Sequence, residues 1–175
     1  MIILSDKKAF SLTEFLIASA LLITLFATAL TGLVLVKQIF ATDIAKATFQ
    51  RDAAVIMGKI TEGQGTTNGV RLSEAASVTF YSDTTKLTFI GTDGVIKRTY
   101  SLSSGGTRLL YSDTNGVQNT LYTAPPGAVV GLTFGTLNVG APLCVSIYVS
   151  VSQTMNGKTV LGALESSVYL RNHPA

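Results

Sequence analysis

Few residues in this sequence are equipped for chemistry, and their spacing assembles no catalytic set. The chain offers one cysteine, Cys144, and one histidine, His173. A single cysteine excludes an internal disulfide and an all-cysteine metal site. Cys144 lies in an alternating apolar run, where a small sheet residue is a simpler reading than a reactive thiol. His173 has no cysteine or histidine near it in sequence, so the spacing that metal sites use is missing. A lone histidine also argues against a histidine-dependent triad. Asp113-Thr114-Asn115-Gly116 lacks the spacing and the distal glutamate of a calcium loop and reads as a turn. Gly91-Thr92-Asp93-Gly94 lies between two strand-like runs rather than before a helix, which is the wrong context for a phosphate-binding loop. The expectation is a non-enzyme without metal or cofactor. The net charge of +3 comes without clustered basic residues, so direct nucleic-acid binding is not expected either.

One ionisable residue stands in an unusual place. Glu14 lies between Thr13 and Phe15, at the edge of a run to Val36 that carries no charge. That run has the roughly 20 apolar residues needed to cross a bilayer as a helix. It is longer than the roughly 7–15 residues of a secretory h-region, and no small-x-small cleavage signal ends it. An acidic group in hydrocarbon costs about 2–3 kcal/mol at the helix centre and less toward the interface. Glu14 therefore reads either as a carboxylate snorkelling at the headgroups or as a group with a dedicated partner.

The elements that must position these residues follow from periodicity and composition. Almost half of the 175 residues are apolar (47%) and only 13% are charged, with the apolar excess concentrated near the N-terminus. Lys7 and Lys8 precede the apolar run and few charges follow it closely, which favours a cytoplasmic N-terminus and a head outside the cytoplasm. From Lys37 the pattern becomes amphipathic without a break. Phe40, Ile44, Ala47, Ala54, Val55 and Ile60 recur at spacings near three and four, between Lys37, Asp43, Lys46, Gln50, Arg51, Asp52 and Lys59. The spacing predicts one helix over about 12–62, about 75 Å long, with Phe40, Ile44 and Val55 covering one face of a sheet.

A Gly/Thr-rich linker over 63–69 leads to an antiparallel β head over 70–175. Short strand-type runs at Val78–Tyr81, Lys86–Ile90, Val95–Leu102 and Arg108–Tyr111 alternate with turn residues and read as a meander of hairpins. A second block runs from Val129 to Phe134 and from Leu143 to Gln153. Asn156-Gly157 marks a tight hairpin turn into Val160–Leu170, where Leu164, Ser166, Val168 and Leu170 share a face. The fold class is α+β.

The segment Lys7-Lys8-Ala9-Phe10-Ser11-Leu12-Thr13-Glu14-Phe15-Leu16-Ile17-Ala18 resembles the type IV prepilin signature. Basic residues, a small residue, an aromatic, a glutamate four places on and a long apolar run coincide there. The resemblance implies a leader over 1–9, removed by a prepilin peptidase between Ala9 and Phe10, and N-methylation of the new Phe10 amine. Glu14 then becomes the fifth mature residue, where the family has its glutamate, and would neutralise the Phe10 amine of a neighbouring subunit. Ala9 stands where glycine is usual, and the helix lacks the proline frequent in major pilins. The implied fold is type IV pilin-like, with the helix over 10–62 serving as both anchor and assembly element.

The head is similar to J-type minor pseudopilins of type II secretion and to W-type minor pilins. The implied partners are other pilins or pseudopilins, the prepilin peptidase and an inner-membrane assembly platform. The implied location is the cytoplasmic membrane, then a pilus or pseudopilus. The competing expectation is a single-pass anchored β domain with a binding role and no polymerisation.

Overall fold

The computed structural model describes residues 11–63, 71–80, 86–136 and 144–171. It contains a long N-terminal helix and two antiparallel sheets, an α+β architecture. The chain divides into two compact units, Met1–Ala41 and Thr42–Ala175. The expected linker lies outside the described residues except for Gly63.

Helix α1 covers Leu12–Glu62, 51 residues without proline. Within the second unit its buried residues are Phe49, Ala53, Ile56, Met57 and Ile60, spaced at three, four and one. This corrects the expected stripe. Ile60 faces the core as anticipated, but Phe40, Ile44 and Val55 are 63%, 65% and 45% exposed. The reason is angular. Phe49, Ala53, Ile56 and Ile60 fall within about one quarter of the helix circumference, while Ile44, Ala47, Ala54 and Val55 fall on the opposite side. Apolar residues thus occupy both faces, and periodicity alone did not say which face meets the sheets.

Strands β1 (Ser77–Phe80), β2 (Leu87–Ile90), β3 (Ile96–Leu102), β4 (Arg108–Ser112) and β5 (Gln118–Thr123) form a meander in the order β1-β2-β3-β4-β5. Two of the described turns are held by local hydrogen bonds. Gly94 donates its N–H to the Gly91 carbonyl, and the Asp93 carboxylate accepts from Val95 N–H. The Asp113 carboxylate accepts from Asn115 N–H, which makes Asp113–Gly116 a side-chain-stabilised turn as expected. A 3-10 turn, Leu72–Glu74, precedes β1 and buries Leu72.

The second sheet has β6 (Ala128–Thr136), β7 (Cys144–Met155) and β8 (Lys158–Tyr169), with β7 in the centre. The alternation expected in β7 is observed: Val145, Ile147, Val149 and Val151 are fully buried. Leu164, Ser166 and Val168 pair with Val149, Ile147 and Val145 and so share that face. Cys144 is buried at the start of β7. The hairpin Met155–Lys158 closes through Asn156 and Gly157, both at positive φ (51° and 73°), the conformation a two-residue turn requires.

A single apolar core joins the inner helix face to both sheets. Phe49, Ile56 and Ile60 cluster with Leu87, Tyr100 and Leu109 from the first sheet and with Val130, Phe134, Ile147 and Val149 from the second. Two polar links reinforce the docking onto β5: Lys59 Nζ donates to the Leu121 carbonyl (2.8 Å), and Tyr122 Oη donates to Asp52 Oδ2 (2.7 Å). Burial, with the Asp52 hydrogen bond and charge, raises the Tyr122 pKa above its ordinary value. At Gly162 the helix lies directly on β8, because a Cβ there would collide with the backbone of Phe49 and Gln50.

Candidate functional site

The candidate site is the first half of α1, and its sequence dictates how it begins. Ser11 precedes the helix, and its hydroxyl oxygen accepts from Glu14 N–H (3.3 Å). Glu14 Oε2 accepts in return from Ser11 N–H (3.0 Å). Ser11-x-x-Glu14 is thus a reciprocal capping box, which satisfies two of the backbone donors a helix start leaves open. The carboxylate also faces the positive end of the helix dipole. The sequence reading assigned Glu14 a snorkelling role or an intersubunit one and passed over this local partner. The pattern S-x-x-E before an apolar run was the available signal.

Lys7, Lys8, Ala9 and Phe10 lie outside the described residues. The geometry therefore shows Glu14 bonded to its own helix start and gives no distance to the amine that cleavage would create.

Beyond the cap, α1 exposes its apolar residues on every side. Leu16, Ile17, Leu21, Ile23, Phe26, Leu30 and Leu33 are all between 57% and 67% exposed. The helix is long and apolar enough to cross a membrane. Its hydroxyls are satisfied within the helix: Thr24, Thr28 and Thr31 donate to the carbonyls of Leu21, Leu25 and Ala27 at 2.8–2.9 Å. Such back-bonding lets a hydroxyl sit in hydrocarbon without an orphan donor. These three threonines share one face, where small side chains let another helix approach closely.

An apolar surface this extensive is far beyond what soluble monomers leave uncovered, so it requires lipid or protein around it. Within the second unit α1 still exposes apolar residues on one side. Ile44 and Val55 face away from the core of the second unit, with Ala47 and Ala54 on the same side and Arg51 between them.

Among the described residues no group of three or more His, Cys, Asp or Glu side chains converges as a metal site would. Arg98 and Tyr100 are buried side by side on β3, with Arg98 Nη1 donating to Tyr100 Oη (3.3 Å) and desolvation raising the Tyr100 pKa. The arrangement can hold a chain in a bilayer and offer apolar helix surface to a partner. No family model, curated protein or solved structure matches the chain.

Proposed function

We propose that the chain is a minor pilin or pseudopilin. On this reading it is cut by a prepilin peptidase before Phe10, held in the cytoplasmic membrane by α1, and built through that helix into a pilus or a type II secretion pseudopilus. The observation that carries the reading is the outward apolar face of α1 beyond membrane length. Val55 follows Val36, the end of the uncharged run, by 19 residues, about 28 Å of chain as helix. The headgroup layer is only about 5–8 Å deep on each side of the hydrocarbon core, so lipid does not cover Val55. A protein neighbour does, and the neighbour that a pilin-like chain brings is another subunit packed helix to helix.

The capping box favours a second reading. A helix-start carboxylate serves a plain anchor as well as an assembly subunit, which leaves a single-pass β domain without polymerisation as the alternative. A photo-crosslinking residue at Ile44 or at Val55 separates the two. In cells that make a prepilin peptidase and companion pilins, the assembly reading expects crosslinks to pilin-sized partners from both positions. A probe at Arg108, on β4, serves as the reference. Crosslinks no more frequent at Ile44 and Val55 than at Arg108 support the plain anchor instead.

A further inference from the structure

We propose that a groove between the helix segment Thr42–Lys46 and the start of β8 docks the headgroup of an anionic phospholipid. The proposal rests on the membrane-anchor reading of α1. The groove has a volume of about 360 Å³ and is lined by Thr42, Asp43 and Lys46 on one wall and by Lys158, Thr159 and Leu161 on the other. That volume suits a headgroup rather than a whole lipid, since sites for drug-sized ligands run from about 300 to 1,000 Å³. The tight turn at Asn156-Gly157 fixes Lys158 at the first position of β8, across the groove from Lys46.

The ion pairs among the described residues join Arg51 to Asp52 and Arg71 to Glu62, and neither Lys46 nor Lys158 takes part. Two exposed ammonium groups therefore flank one groove without a described carboxylate within 4 Å. A phosphate between them would be met by two point charges and by the Thr159 hydroxyl. Asp43 leaves the lining net positive and can accept from a headgroup hydroxyl, which suits phosphatidylglycerol. Leu161 is 45% exposed and offers apolar contact to the glycerol. A free phosphate has no use for that contact, so the lining fits a lipid.

Connectivity puts the groove where such lipids are. Thr42 follows Val36, the end of the uncharged run, by six residues. Six residues span about 9 Å as helix and about 20 Å fully extended. The groove is thus tethered close to the headgroup layer whatever the angle of the helix to the bilayer.

The test uses the full chain in dodecyl maltoside micelles, offered equal amounts of dioleoyl phosphatidylglycerol and dioleoyl phosphatidylcholine and read by native mass spectrometry. Near an anionic surface each lysine is worth about fivefold in binding, so with Asp43 opposing them the pair should give a preference of about tenfold. The expected result is retention of phosphatidylglycerol by the wild type and loss of the preference in Lys46→Gln/Lys158→Gln. The charge-matched control Arg108→Gln/Arg171→Gln should keep it. An unchanged preference in the groove variant, an equal loss in the control, or displacement of the lipid by millimolar inorganic phosphate overturns the proposal.

Flotation of the same chain with pure phosphatidylcholine vesicles keeps the two readings apart. A chain that floats but shows no phosphatidylglycerol preference refutes the groove alone. A chain that does not float refutes the anchor and the groove with it.

Discussion

Replacing Glu14 by glutamine and, separately, by alanine distinguishes the two functions this carboxylate can have. In the structure Glu14 Oε2 accepts from Ser11 N–H at 3.0 Å. A glutamine at this position of a capping box keeps that bond through its side-chain carbonyl, while alanine removes it. Losing the cap costs about 0.5–2 kcal/mol and is felt in the first turn, so Glu14→Ala should fray the helix start near Ser11 without disturbing the core around Phe49 and Ile56. Both variants remove a charge from the edge of an apolar run and should insert into membranes at least as well as the wild type, by up to a few kcal/mol.

The intersubunit role makes a different demand. If Glu14 neutralises a neighbour's Phe10 amine, glutamine fails nearly as badly as alanine. Each leaves a poorly solvated cation, and breaking a buried pair costs about 3–5 kcal/mol. The assay is membrane fractionation with intersubunit crosslinking from Ile44, in cells that supply a prepilin peptidase and companion pilins. The assembly reading expects normal membrane levels and at least tenfold fewer crosslinks for both variants. Wild-type crosslinking by Glu14→Gln alongside a reduced yield for Glu14→Ala would refute the charge-pair reasoning and leave Glu14 as a helix cap.

Other outcomes follow from particular contacts. Gly162→Ala places a Cβ against the backbone of Phe49 and Gln50, which cannot rotate away, and should destabilise the detergent-solubilised chain by about 3 kcal/mol in thermal or denaturant unfolding. Gly58→Ala, inside α1 with open space around it, should instead stabilise by about 0.5–1 kcal/mol in the same measurement. Tyr122 has its pKa raised above 10.0 in the folded state, so the fold holds that proton more tightly than the unfolded chain does. Its contribution is therefore complete below pH 10 and declines as pH rises further, and Tyr122→Phe should show a shallower loss of stability above pH 10. Co-produced with a prepilin peptidase, the chain should lose Met1–Ala9 and gain a methyl group, as read by intact mass, whereas a full-length mass in that setting refutes the leader assignment.

The parts of the fold legible in the sequence were those where one local signal dominates. The helix Leu12–Glu62 has no proline and an unbroken apolar or amphipathic pattern, and its bounds match the expectation from spacing. In β7 alternation identified Val145, Ile147, Val149 and Val151 as one buried face, because period two admits only two answers, although Cys144 and Ser150 on the other face are buried as well. Strand β5 went unread because its sequence, Gln-Asn-Thr-Leu-Tyr-Thr, contains one well-buried apolar residue, Leu121, among polar neighbours. Its place comes from pairing with β4 and from the bonds that Lys59 and Tyr122 make across to β5 and back to the helix, none of which is local in sequence. The division of the head into two sheets was likewise hidden, since hairpin signals report neighbours along the chain and not where a sheet stops. The groove at Lys46 and Lys158 joins residues 112 positions apart (158 − 46) and had no signal at all.

The misplaced helix stripe points to the main physical question about this molecule. A helix that only had to dock on sheets would carry apolar residues on one face and solvate the other. Here Phe49, Ile56 and Ile60 meet the core, and Ile44 and Val55 point away from it on the same helix. The first set stabilises the head whether or not a partner exists. The second gains nothing in the monomer and raises the cost of leaving the chain alone in water, and on the assembly reading a neighbouring subunit covers it. Replacing Ile44 and Val55 by glutamine should therefore leave unfolding of the head within about 0.5 kcal/mol of the wild type, as for surface changes generally. It should nevertheless remove crosslinks between neighbouring chains, scored with a probe placed elsewhere on the helix, at Ala47. A head as stable as before but no longer joined to its neighbours is what a two-faced assembly helix requires. If the crosslinks survive, the outward stripe is not the interface, and the anchored-monomer reading becomes the stronger one.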